Sequence, residues 1–257
     1  MPIVTANTTS HWYRADGTPA YGSDMRTARK ENLYPSVTSV IGVLAKPGLE
    51  AWKQEQAIMA ALTLPMYEGE SYEAFARRVV EDSREQSQKA ADIGTTLHDV
   101  AEKYLRDEWY ILPEGYEEVC GYLTGWLKCT VEKPIEVEST FTNLEHGYGG
   151  RIDLIAELSE LYANRTAVID FKSQFVKMKE LKSGPKPSPV FYDEWAAQLA
   201  AYGQGKVDMG ISLIISTNPA CPKVFAKEWT AEELAEGWEL FLACLKIWRI
   251  QKNYYQE

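Results

Sequence analysis

The chain has 257 residues, 45% hydrophobic and 25% charged, which suits one domain with a sizeable core or a core with a helical elaboration. No apolar run approaches the roughly 18–20 residues a membrane span needs, and the first ten residues lack both the basic start and the apolar core of a secretory signal. A formal net charge of −10 argues against non-specific nucleic-acid binding by the surface as a whole, yet Lys177, Lys179, Lys182 and Lys186 face only one acid, Glu180, within 173–187, so a basic track on an acidic body stays open.

In chain order, His11-Trp12-Tyr13, an Asp16-Gly17 turn and Ala20-Tyr21 predict a small hairpin. Tyr34-Pro35-Ser36-Val37 leads into a short helical pattern ending near Leu44. Residues 49–62 read as a helix anchored by Trp52 and Ile58. A second helical region starts near Ser71 and runs, broken or unbroken, to Leu105; its middle, 81–89, is almost wholly polar and either faces solvent or bridges open space. Pro113 is expected to start a further helix, with Val119, Tyr122, Leu123 and Trp126 at helical spacing.

The pattern changes after Pro134. Strands are expected over 135–141, 151–158 and 167–172, with a turn at Gly147-Tyr148-Gly149-Gly150. A helix over 192–206 follows, then strands over 211–217 and 223–229. Thr230 and Glu233 form a capping box that opens a final helix carrying Leu234, Trp238, Phe241, Leu245 and Trp248. This order describes an α/β or α+β core with a helical N-terminal part. It divides a single domain into an N-terminal extension (1–33), a helical region (34–130) and a core (131–257). Cys120, Cys129, Cys221 and Cys244 are far apart and form no CxxC pair, which predicts free buried thiols in a reducing compartment.

The chemistry concentrates between Glu138 and Tyr202. Strand side chains alternate, so Asp170 and Lys172 project together while Ile169 and Phe171 project oppositely. Asp153 points away from Ile152 and Leu154, and an adjacent strand can bring it to Asp170 and Lys172. Hard Mg²⁺ or Mn²⁺ takes carboxylate, water and phosphate oxygens. Asp153 and Asp170 are therefore the expected ligands, with the Phe171 carbonyl as a third, and Lys172 is the catalytic ammonium. Glu138 can join from the preceding strand, with Glu136 as its rival. Taken alone, Asp170-x-Lys172 is commonly a surface ion pair. No G-x-x-x-x-G-K-[ST] occurs, so no nucleotide cofactor is expected.

Gly150-Arg151-Ile152-Asp153, Ile169-Asp170-Phe171-Lys172-Ser173 and Gln198-Leu199-Ala200-Ala201-Tyr202 resemble the motif series of RecB-type nucleases in the PD-(D/E)xK superfamily. Gly94-Thr95-Thr96-Leu97-His98 resembles the G-x-x-x-H helix motif of the same branch. Pro35-Ser36-Val37-Thr38, with Lys46-Pro47-Gly48-Leu49 and Trp52, is most similar to the mitochondrial genome maintenance exonucleases and phage relatives. The resemblance spans about 34–205 and implies a restriction-endonuclease-like core, a central mixed sheet flanked by helices. It implies that His98 ligates the metal, although a lone His on such an apolar stripe is usually a satisfied core histidine. It also implies that Gln198 works beside Lys172, and that Tyr202, Lys177, Lys179 and Lys182 serve nucleic-acid binding.

The implied activity is a Mg²⁺/Mn²⁺-dependent deoxyribonuclease, an exonuclease preferring single-stranded DNA or free ends, in the cytoplasm of a bacterium or phage-infected cell. A recombination or single-strand-binding protein is the implied partner, and no membrane is. The rivals are a structure-selective endonuclease and a non-catalytic DNA-end-binding adaptor. The helical N-terminal part is expected to arch over the site, with 34–62 and 81–89 as candidates and Trp52 and Tyr72 as stacking residues. The cysteine spacing departs from the iron–sulfur pattern of several relatives, so no cluster is expected.

Overall fold

The computed structural model describes residues 12–255; the expected contribution of His11 to the first hairpin lies outside them. In chain order the elements are β1 (Trp12–Tyr13), α1 (Met25–Glu31), β2 (Tyr34–Pro35), α2 (Val37–Ile41), α3 (Pro47–Thr63), α4 (Tyr72–Leu105) and α5 (Glu117–Thr130). They continue with β3 (Val131–Asn143), β4 (Tyr148–Leu158), β5 (Thr166–Gln174), β6 (Lys177–Lys179), β7 (Lys186–Ser188), α6 (Glu194–Gly203), β8 (Met209–Ser216), β9 (Val224–Trp229) and α7 (Ala231–Lys252). Among the described residues, no helix is long and apolar enough to cross a membrane.

The fold is mixed α/β. Its centre is a five-stranded sheet of order β3-β4-β5-β8-β9, in which β5 and β8 run parallel and the other neighbours antiparallel. Helices flank this sheet, the arrangement of a restriction-endonuclease-like core. α6 packs on β4, β5 and β8, and α7 packs on α6 and β8. α5 packs against β3, β8 and β9. β8 is buried along its whole length, as expected for a parallel central strand covered on both faces.

The chain divides into two compact units, residues 1–44 with 98–257, and residues 45–97. In the first, α2 is short because Ser36 caps it, its Oγ accepting from the Ser39 backbone N–H, and Gly42 ends it. Val37, Val40 and Ile41 join the main core. The expected 34–62 piece therefore does not behave as one unit: its first part is core, because three apolar residues at helical spacing bury together.

In the second unit, Arg78 ties down the chain before α4. It donates to both oxygens of Glu70 at 2.7 Å and to the Pro65 carbonyl at 2.8 Å, and lies 4.0 Å over the Tyr67 ring. The Arg78 hydrogen bond holds the Glu70 carboxyl down at about 2. Trp52 is half-buried and Tyr72 is exposed.

Three local expectations change, and two further features appear that the sequence pattern did not assign. Pro113 does not open a helix; it sits in a turn that Tyr116 N–H closes, and α5 starts at Glu117. α1 forms because Asp24 caps it by accepting from Thr27 N–H and Asn32 ends it in the left-handed region. The lysine-rich segment forms a β6–β7 hairpin. Gly149 and Gly150 belong to strand β4, where a Cβ would lie 2.8 Å from Tyr13 and Tyr202 atoms respectively. The four cysteines are free, but Cys129 is exposed where a buried thiol was expected.

Candidate metal centre

The centre forms where β4 and β5 part. Their ladder runs from Glu157↔Thr166 to Leu154↔Ile169 and stops there. The next residues along, Asp153 and Asp170, stand where pairing has ended. The Phe171 N–H, left without a strand partner on that side, donates instead to Asp153 Oδ2 at 2.7 Å. A charged acceptor thus replaces a ladder bond, worth about 1.5–3 kcal/mol against leaving the amide unmade.

Asp170 and Lys172 project together, as strand alternation requires, with Lys172 Nζ 2.7 Å from Asp170 Oδ2. α6 supplies the third member. Gln198 Oε1 accepts from Lys172 Nζ at 2.9 Å, and Gln198 Nε2 donates to Asp170 Oδ1 at 2.9 Å and to the Tyr202 hydroxyl at 3.1 Å. Only an amide meets this demand: its oxygen faces an ammonium and its nitrogen faces a carboxylate. Tyr202, one helical turn from Gln198, is buried beneath it. Burial raises the Tyr202 phenol well above its ordinary value, with Asp170 and Asp153 adding. The α6 helix is fixed to β4 by the Tyr148 hydroxyl, which donates to the Ala201 carbonyl at 3.0 Å.

His98, on α4, comes to the other side of the gap. Its Nδ1 lies 3.7 Å from Asp153 Oδ2, and its ring meets the Phe171 ring edge-on at 5.7 Å. Burial holds the imidazole below its ordinary value, against Asp170, Glu138 and a backbone hydrogen bond with Phe171 that favours the charged form. That last contact places the Phe171 carbonyl at the ring. Burial favours the neutral imidazole, the form that binds metals.

Glu138 completes the group. It takes a left-handed backbone, φ 49°, inside the irregular strand β3, a conformation costing roughly 1–2 kcal/mol in a non-glycine residue. Its side chain is buried and ion-paired with Arg151. Burial and the neighbouring Asp153 push Glu138 up to about 7, with Arg151 and His98 opposing. Burial, then Asp170, pushes Asp153 up as well, with Lys172 and the Phe171 N–H opposing. Glu136 accepts from Ser139 Oγ on the exposed side of the strand, which separates it from its rival.

Among the described residues, His98, Glu138 and Asp153 can each offer one ligand atom to a group spanning no more than 4.8 Å. Asp170 is not in that group. It is buried, and its Oδ2 has no aligned hydrogen bond although the Lys172 ammonium is 2.7 Å away. One imidazole nitrogen and two carboxylates, with the Phe171 carbonyl beside them, suit a hard divalent cation.

Every residue expected at the centre therefore converges there: His98, Glu138, Asp153, Asp170, Phe171, Lys172, Gln198 and Tyr202. Lys177 and Lys179 lie on β6, and Lys182 lies on the turn before β7, all three exposed. Gln174 holds this hairpin to the sheet, its amide making two 2.9 Å hydrogen bonds with the Val190 backbone. Two neighbours of the centre were not anticipated. Arg151 shares a strand face with Asp153, two residues on, which is the signal that places it. Trp195, one turn before Gln198, has its ring 5.6 Å from Lys172 Nζ.

No protein-family model matches the chain, and no curated protein matches it. Among solved structures, the one described as "Crystal structure of SSO0001" is similar, with 14% identity and a TM-score of 0.33, over 81% of this chain and 89% of that one.

Proposed function

We propose that the chain is a metal-dependent nuclease of the PD-(D/E)xK superfamily, in its RecB-like branch, that hydrolyses phosphodiester bonds in DNA. The observation that carries this reading is the meeting, at the β4–β5 gap, of the His98/Glu138/Asp153 donor set with the Asp170–Lys172–Gln198 triangle. His98, Glu138 and Asp153, with Asp170 and the Phe171 carbonyl beside them, would hold Mg²⁺ or Mn²⁺. Such an ion polarises a phosphoryl oxygen and lowers the pKa of bound water.

The chain's own groups do the rest. Lys172 offers a fixed ammonium to the charge that develops on phosphate, and it reaches the surface of the site, with 23% of its side chain exposed. Gln198 and Asp170 hold that ammonium in one place, so little reorganisation is needed as charge grows. Tyr202 keeps Gln198 from turning. The exposed lysines 177, 179 and 182 offer a track for the sugar–phosphate backbone, whose contacts weaken with salt.

The fuller reading is an exonuclease preferring single-stranded DNA, acting in phage or bacterial DNA processing in the cytoplasm alongside a recombination or single-strand-binding protein. It rests on the motif resemblance. The test is an Mn²⁺-dependent assay on 5′- and 3′-labelled single strands, duplexes and circular single strands. Cleavage of linear but not circular single strands is expected. Cutting of circles makes the chain an endonuclease. End binding without cleavage in any metal makes it an adaptor and ends the nuclease reading.

A further inference from the structure

We propose that Arg151 takes the place of a second metal ion in this centre: its guanidinium saturates the outer side of Glu138, limits the site to one divalent cation, and presents its remaining donors to a substrate phosphate. The inference rests on the reading of the site as a metal centre.

Glu138 is shared between two cations. It offers a ligand atom to the group with His98 and Asp153, and its Oε2 is engaged by Arg151 Nε. A second ion bound on that side would have to displace Arg151. The adjoining carboxylate, Glu102, is taken in the same way, 3.0 Å from Arg106, which also donates to the Val137 carbonyl on the Glu138 strand. His98, Glu102 and Arg106 are spaced four apart, so one stripe of α4 carries the inner ligand and the outer acid, and the residue just past its end, whose N–H still donates to the Glu102 carbonyl, supplies the arginine.

Charge favours the same count. Counted as ligands to a bound cation, and so ionised, Glu138, Asp153 and Asp170 set three carboxylates against Lys172 and Arg151, a net of one negative charge. Glu102 and Arg106 cancel. One divalent ion turns the net to one positive charge, which matches a single phosphodiester. Two ions leave three positive charges beside one phosphodiester, an imbalance that a partly buried site tolerates poorly.

Arg151 is placed to complete the match. Among the described residues, Glu138 is its only ion-pair partner, and 46% of its side chain is exposed. It projects from the same face of β4 as Asp153. A guanidinium holding a carboxylate with one edge has donors left for a second oxyanion, a fork that lysine cannot reproduce.

The test uses the full chain and measures Mn²⁺ stoichiometry by electron paramagnetic resonance and calorimetry. It also measures anisotropy of a fluorescein-labelled single-stranded phosphorothioate oligonucleotide. Wild type is expected to bind one Mn²⁺. Arg151→Gln is expected to bind two, and to lose at least about tenfold in oligonucleotide affinity. Arg151→Lys, which keeps the charge without the fork, is expected to bind one ion and to hold the oligonucleotide more weakly than wild type. Two ions in wild type, or one ion in folded Arg151→Gln, overturns the proposal. The wild-type count keeps it falsifiable should the glutamine variant fail to fold. A wild type that binds no Mn²⁺ and cleaves nothing is a different result, the failure of the nuclease reading itself.

Discussion

Asp153 Oδ2 accepts from the Phe171 backbone N–H at 2.7 Å, immediately beyond the last residue pair of the β4–β5 ladder. One side chain therefore closes the parted strands and belongs to the donor set. The two roles separate by substitution. Asp153→Asn keeps an acceptor for Phe171 and is expected to melt at or above wild type, since it removes a buried charge. Asp153→Ala strands the amide and is expected to lose about 1–3 kcal/mol. Both should lose at least about tenfold in Mn²⁺ affinity, read by calorimetry. An asparagine variant with wild-type Mn²⁺ affinity removes Asp153 from the donor set.

Gln198 tests the positioning of Lys172. Gln198→Ala leaves the ammonium held by Asp170 alone and opens space above Tyr202. The expected result is a fall in kcat of roughly 10²-fold with KM little changed, because the loss is of orientation during the reaction rather than of binding. Gln198→Glu adds a fourth carboxylate to Glu138, Asp153 and Asp170, set directly against Asp170, and should fail as badly. Steady-state kinetics on a labelled single strand decides it; a pure KM effect contradicts the positioning role.

Glu138 predicts how stability follows pH. Its carboxyl titrates near 7 in the fold and near its ordinary 4.5 when unfolded. Between these values the folded chain binds more protons, so this group's contribution is fully present below about 4.5 and is lost as pH rises through 7, by at most about 3 kcal/mol. Melting of metal-free protein at pH 5 and pH 8 checks the sign. Wild type should lose more stability than Glu138→Gln over that interval, and Mn²⁺ should stabilise wild type more at pH 8. Parallel curves for the two proteins contradict it.

Two glycines on different helices should respond oppositely to alanine. A Cβ on Gly237 would lie 2.6 Å from the Ala196 backbone carbon, where α7 crosses α6, so Gly237→Ala should cost about 1–3 kcal/mol or more. Gly125, on exposed α5 surface with nothing within 4 Å, should gain about 0.5–1 kcal/mol as alanine. Thermal denaturation measures both, and a neutral Gly237→Ala denies the close helix packing.

Strand positions and the convergence of Asp153, Asp170 and Lys172 were legible because alternation and apolar runs are local signals. The capping box at Thr230 was equally legible, and both of its hydrogen bonds form. The left-handed Glu138 was not, because an acidic residue in a strand pattern carries no local sign of a positive φ. The role of Arg151 depends on register across β3 and β4, which no single segment encodes. Pro113 misled because proline suits both a helix start and a turn, and the choice is made by Tyr116 N–H reaching its carbonyl. The β6–β7 hairpin was hidden because each strand has only three residues, and one apolar residue, Met178, between Lys177 and Lys179 is too short a stretch for a period of two to show.

Lys172 and its partners are expected to act on a phosphodiester. The most direct measurement is release of product from a 5′-labelled single-stranded DNA by wild type and by folded Lys172→Ala, in Mn²⁺ and in chelator. The account predicts Mn²⁺-dependent cleavage by wild type, none in chelator, and a loss of at least about 10³-fold in the variant. Equal cleavage by wild type and Lys172→Ala would contradict it.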